Sequence, residues 1–128
     1  MNGTGVLLDS VILIDHFNGV PAATEYLRTV GSKAHISAIT RAEVLTGEEG
    51  AERKLIARFL DCFSFHAIDL DLANLAAELR HRHRWKLPDA FQAAVAQCHN
   101  LVFATRNHKD FDPKQHPFVV IPYKLQRK

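Results

Sequence analysis

Short unbroken apolar runs alternate along the chain with longer stretches in which apolar residues return every three or four positions. The runs are Val6-Leu7-Leu8, Ala34-His35-Ile36-Ser37, Phe63-Ser64-Phe65-His66-Ala67-Ile68, Leu101-Val102-Phe103-Ala104 and Phe118-Val119-Val120-Ile121. Several are apolar at consecutive positions, as strands covered on both faces must be. The stretches between them predict helices over about 10–18, 22–30, 40–47, 50–61, 70–83 and 88–98. Leu72, Leu75, Ala76 and Leu79 form one amphipathic stripe, and Ala57, Leu60 and Asp61 around Leu55-Ile56 form another; both are read as core-facing. Gly19 followed by Pro21 gives a stop and a restart, and Gly31 a second stop. Strand and helix alternating in this way predict an α/β domain, a central parallel sheet of about five strands flanked by helices.

Composition narrows the class. At 128 residues, 47% hydrophobic and 23% charged, the chain is expected to be one domain spanning 1–128, with no repeat or linker to divide it. No apolar run approaches the roughly 20 residues of a membrane span, and Met1 to Val6 lack the pattern of a secretory signal, so a soluble, cytoplasmic protein with no membrane association is expected. Cys62 and Cys98 sit in apolar, helix-like stretches and predict buried free thiols in a reducing compartment. A formal charge of +2 is too mild to announce nucleic acid by itself, so the distribution of charge matters more than its sum.

Four polar residues then stand out by position. Asp9 ends the first strand and opens a helix; Glu43 is expected in the first turn of the helix after the second strand; Asp89 follows Pro88 at the start of another helix; Asn107 follows the fourth strand. When each helix runs back antiparallel to its strand, strand carboxyl ends and helix amino ends share one sheet edge, the edge where open α/β sheets bind ligands. Each residue also has a plain structural reading. Asp9 suits an N-cap, Thr40-Arg41-Ala42-Glu43 suits a capping box, and Asp89 suits the positive end of a helix dipole. Three carboxylates on one edge nevertheless repel unless something positive sits between them. An oxygen-only set with no Cys/His cage selects Mg²⁺ or Mn²⁺, one ion or two, and such ions serve displacement at phosphorus.

Arg80-His81-Arg82-His83-Arg84-Trp85-Lys86 places four fixed positive charges just before the Asp89 helix. Arg80, Arg82, Arg84 and Lys86 are candidates for contact with RNA phosphates, the alternative being a solvated helix end, where basic residues are favoured anyway. Trp85 is read as packing rather than as a base-stacking platform. Arg106 and Lys109, beside Asn107, are candidates for substrate phosphate, and Thr105 for supporting the site. Asp69 and Asp71 are read as caps of the helix near Leu70.

Taken in order, the stretch from Leu7 to Asp15, Thr40-Arg41-Ala42-Glu43, Leu87-Pro88-Asp89-Ala90 with Ala93-Ala94 behind it, and Ala104 to Phe111 resemble the PIN-domain ribonucleases, VapC-type toxins of toxin–antitoxin pairs above all. The resemblance covers almost the whole chain. It implies a PIN-like fold, a Mg²⁺- or Mn²⁺-dependent endoribonuclease that cleaves RNA phosphodiester bonds through metal-activated water, homodimerisation, and a cognate VapB-type antitoxin. Carried over by position, Asp9 and Asp89 are the principal metal ligands and Glu43 completes the acidic triad. Asn107 falls where many members carry Asp, and Val11 where the first motif commonly has a small polar residue. Other readings of the chain are a PIN-like RNA-processing or RNA-binding domain without a toxin role and, more remotely, a phospho-acceptor receiver, for which Asp9-Ser10, Asp69 and Lys124 are a poor match.

Overall fold

A computed structural model describes residues 4–125. Five strands, β1 (Val6–Leu8), β2 (Ala34–Ser37), β3 (Ser64–His66), β4 (Val102–Ala104) and β5 (Val119–Val120), form one sheet in the order β3-β2-β1-β4-β5. Every pairing is parallel. Six α-helices connect them: α1 (Ser10–Phe17), α2 (Pro21–Val30), α3 (Ala38–Thr46), α4 (Gly50–Leu60), α5 (Leu70–His83) and α6 (Leu87–Cys98), with a single 3₁₀ turn at Gly31–Lys33. The expected α/β class and the six helices are observed, with ends displaced by a residue or two. The strand order disposes of the receiver reading, since receivers of the flavodoxin type follow 2-1-3-4-5.

Local chemistry explains where the elements begin and end. Pro21 sits in the first turn of α2, where a missing N–H costs nothing, and Gly31 ends that helix at φ 56°. Asp69 caps α5 as expected, its Oδ1 accepting from Leu72 N at 2.9 Å. Along β1 the pleat sends Leu7 into a cluster with Leu79, Trp85, Val95, Phe103 and Phe111, and Leu8 into a second with Ile12, Leu13, Ile36, Val44 and Leu60. β1 is therefore buried on both faces, and each fully buried leucine contributes about 1.5–3 kcal/mol. On α6, Ala90, Ala93, Ala94 and Ala96 are all buried, small enough to let the helix lie close on its neighbours.

Two expectations fail. The run 63–68 shortens to the edge strand β3, on which Phe65 is 51% exposed, so it is not apolar on two covered faces. Cys62 and Cys98 are free as expected but exposed, because Cys62 lies past the end of α4 and Cys98 is the last residue of α6, both turned from the core.

Candidate active site

The order of the sheet reverses between β1 and β4, and it is outside the strand carboxyl ends at such a switch point that open α/β sheets bind ligands. Asp9 N donates to Ala104 O at 2.9 Å, so the two strands stay paired up to the residue that carries the first carboxylate. Asp9 caps α1 and is only 8% exposed. Its Oδ1 accepts from Ser10 N at 2.8 Å, and its Oδ2 accepts the Thr105 hydroxyl at 2.7 Å. Burial pushes its pKa up; the Thr105 and Ser10 hydrogen bonds oppose that, and the charge of Glu43 adds to it.

Glu43 reaches the same place by an unexpected route. α3 begins at Ala38, capped by Ser37, whose Oγ accepts from Thr40 N at 3.2 Å. Glu43 therefore lies in the second turn, and the capping box over 40–43 does not form. Its Oε1 instead accepts the Ser10 hydroxyl at 2.8 Å, which ties α3 to the start of α1 beside Asp9.

Asp89, the third residue of α6, is half-buried, and its pKa is raised to about 6. Burial is the largest cause, followed by the charges of Asp9, Asp110 and Glu43, with Lys86 opposing. Asn107 does not act alone. Its Nδ2 donates to Asp110 Oδ2 at 3.0 Å and its Oδ1 accepts from Asp110 N at 3.3 Å, so the carboxylate of Asp110 is the charge that the loop after β4 turns toward Asp89.

Among the described residues, no group of three or more His, Cys, Asp or Glu side chains converges closely enough to cage a metal ion. The donor chemistry still fits a hard dication. All the candidate ligands are oxygens, Asp89 feels three other carboxylates, and Mg²⁺ keeps most of its waters and takes one or two protein carboxylates. Asp9 with Asp89 could serve as such a pair, and the charges of Glu43 and Asp110 act on Asp89.

The basic candidates divide. Arg82 Nη2 donates to Glu78 Oε2 at 2.8 Å on the exposed side of α5, while Arg80 Nη1 donates to Trp85 O at 2.7 Å. Arg84 is the C-cap of α5 and Lys86 the N-cap of α6. Trp85 is packing, as expected: it is buried, stacked on His83 and tilted against Phe111, and its Nε1 donates to Asp110 O at 3.0 Å. Arg106 turns onto buried Asp15, with Nε to Oδ2 at 2.6 Å and Nη2 to Oδ1 at 3.1 Å, so the Nε side of the guanidinium is spent on that pair and its Nη1 side is left for a phosphate. Tyr123 adds a third donor to Asp15 at 2.7 Å.

Three supports were not read from the sequence: the Ser10 hydroxyl, the Asp15 anchor and Gln92. Gln92 is 1% exposed; it accepts the Ser37 hydroxyl at 2.7 Å and donates to Thr40 Oγ1 at 2.6 Å, and Thr40 donates onward to Leu8 O at 3.0 Å. A lone amide one turn after Asp89, among Ala90, Phe91, Ala93 and Ala94, and a lone acid after the apolar run 11–14 were the available signals.

Against known proteins, the PIN domain family model matches residues 6–114. The chain is 33% identical over 126 residues to Ribonuclease VapC10 of Mycobacterium tuberculosis, covering 90% of this chain and 94% of that one. Among solved structures it is similar to a toxin-antitoxin complex from Klebsiella pneumoniae, with a TM-score of 0.86, 38% identity, and 94% and 100% of the two chains covered. FitAcB from Neisseria gonorrhoeae shares the fold, with a TM-score of 0.75, 24% identity, and 94% and 99% covered.

Proposed function

The chain belongs to the PIN-domain family, with VapC-type relatives along its length, and from that premise we propose that it is a divalent-metal-dependent endoribonuclease and the toxin of a toxin–antitoxin pair. The observation that carries the nuclease reading is the raised pKa of both Asp9 and Asp89 at the switch point of the sheet, with the charge of Glu43 acting on both and that of Asp110 on Asp89. The repulsion behind part of those shifts is a cost that a dication removes. The toxin reading is supported by the likeness to the Klebsiella pneumoniae toxin-antitoxin complex, and it carries with it a VapB-type antitoxin, a homodimer and action in the cytoplasm.

Asp9 and Asp89 would hold Mg²⁺ or Mn²⁺, with Glu43 completing the set and Asn107 keeping Asp110 oriented toward it. When bound, the ion supplies Lewis acidity to a phosphate oxygen and to the attacking water. The chain's own residues do the positioning. Ser10 N and the Thr105 hydroxyl hold both oxygens of Asp9 in one rotamer, so no reorientation accompanies the reaction. The Ser10 hydroxyl keeps Glu43 pointed at the same edge. Arg80, Arg84 and Lys86, just before Asp89, give the phosphodiester backbone a positive approach, and Arg106 can reach a phosphate only with the N–H groups that Asp15 leaves free. Hydrolysis then adds water to phosphorus in line with the leaving oxygen, which departs with a proton. Cleavage of total RNA by the wild type in Mg²⁺ or Mn²⁺, abolished by chelation and by Asp9→Asn or Asp89→Asn in folded protein, is the expected result. Equal cleavage by both variants refutes the assignment.

A further inference from the structure

The positive charges at the α5–α6 junction are not equivalent. Arg80 and Arg84 line a recess of about 480 Å³ together with Ala77, His81 and Leu87. Neither guanidinium forms an ion pair with a carboxylate among the described residues, whereas Arg82, between them in sequence, is paired with Glu78. Arg80 is aimed by a single bond, Nη1 to Trp85 O, which leaves its other N–H groups unspent on that contact. Arg84 holds φ 61° and ψ 28°, a left-handed C-cap conformation in which glycine is favoured and a long side chain is strained. A guanidinium kept at such a position points to a use outside the fold. Leu87 is 46% exposed at the mouth of the same recess, and Asp89 follows it by two residues on α6.

Two like charges around one recess stay apart and hydrated until an anion enters between them, and two guanidiniums bind a tetrahedral oxyanion through paired N–H groups better than any ammonium does. Beside the charges stand an aliphatic side chain and an imidazole, surfaces on which a ribose or a base can lie. We propose that this recess is a nucleotide subsite in which Arg80 and Arg84 grip one RNA backbone phosphate while Leu87 and His81 cover the adjoining nucleoside. The strand is thereby led along α6 to Asp89. The inference rests on the ribonuclease reading and adds which charges grip the substrate; Arg82, spent on Glu78, is not among them.

The test is fluorescence anisotropy with a labelled single-stranded RNA about ten nucleotides long, over a series of KCl concentrations. All chains carry Asp9→Asn to prevent cleavage. Arg84→Gly removes the charge and relaxes the backbone, so affinity falls about tenfold and the slope of log K against log salt drops by about 0.7, while Tm rises. Arg80→Gln keeps a donor for Trp85 O and weakens binding by a similar factor. Arg82→Gln leaves affinity and slope at the parent values. Parent affinity in Arg84→Gly and Arg80→Gln, or an equal loss in Arg82→Gln, overturns the subsite, as does a parent chain that binds an acidic peptide but no RNA. Failure of the ribonuclease reading is separately visible: the chain without Asp9→Asn then cleaves no RNA, while the recess variants still lose affinity.

Discussion

Asp89→Asn is expected to stabilise the metal-free protein above pH 6 while abolishing the activity. With its folded pKa raised from 3.8 to about 6, the side chain is protonated in the folded state and ionised in the unfolded chain between those values. The folded state binds more protons there, so the contribution of this site to stability falls as pH rises from about 4 to 6 and stays low above that. Two pH units correspond to about 3 kcal/mol at most. Asp89 is half-open to solvent, which screens the neighbouring charges, so a gain of about 1–2 kcal/mol is the realistic expectation for the Asn variant at pH 7.5. For a domain of this size that is about 4–8 °C in Tm. Melting curves in EDTA at pH 4, 5, 6, 7 and 8, followed by circular dichroism, should show the two proteins close at pH 4 and diverging through pH 6. An Asn variant less stable than wild type at pH 7.5, or a difference that does not change with pH, would refute the raised pKa of Asp89, to which burial contributes most and the neighbouring carboxylates next.

Mn²⁺ or Mg²⁺ should raise the Tm of wild type, by as much as about 2.7 kcal/mol of stability at a hundredfold excess over Kd, and raise it less in Asp89→Asn; titration by scanning calorimetry reads both. Asp15→Ala should cost about 3 kcal/mol, because it strands the Arg106 guanidinium and the Tyr123 hydroxyl together, and urea midpoints report it. Gln92→Leu, close in volume, should cost about 2 kcal/mol by leaving the hydroxyls of Ser37 and Thr40 short of a buried partner; a variant as stable as wild type would show that the amide bond network is replaceable by packing. Arg82→Gln should change stability by less than about 0.5 kcal/mol, as exposed helical pairs do.

What the sequence made legible was whatever one element encodes by itself. Asp9 and Asp89 stand out as candidates because hydrophobic periodicity changes beside each of them, and the change marks an element end on the edge where open α/β sheets bind ligands. Glu43 is found for the wrong local reason: Thr40 looks like a cap, but Ser37, one turn earlier, takes that role and moves Glu43 into the second turn. Its true partner, Ser10, is 33 residues away, and the pairings of Thr105 with Asp9 and Arg106 with Asp15 span 96 and 91 residues. No local pattern carries bonds of that separation, so Arg106 reads as a loop cation free for phosphate until the fold shows Asp15 beside it. The cysteines fail differently. Apolar neighbours indicate a helix but not which side of its last turn faces out.

The strands are two to four residues long, which bears directly on how the site is held. A sheet this narrow has little ladder beyond the switch point to stiffen the loops that carry the acids, and side chains take over that task. Thr105, Arg106 and Asn107 are consecutive, and each is fixed to a different partner: Asp9, Asp15 and Asp110. Asp15 in turn holds Tyr123 in the segment after β5, and Ser10 joins α1 to α3. A repulsive set of carboxylates is thereby kept in place by donors from the loop after β4 and from α1, and that loop is itself tied through Asp15 to the C-terminal segment. Loss of a crowded acid such as Asp89 relieves repulsion, whereas loss of Asp15, the acceptor that Arg106 and Tyr123 share, releases two segments. Variants of Asp89 and of Asp15 should therefore move stability in opposite directions although both lie within the same polar framework.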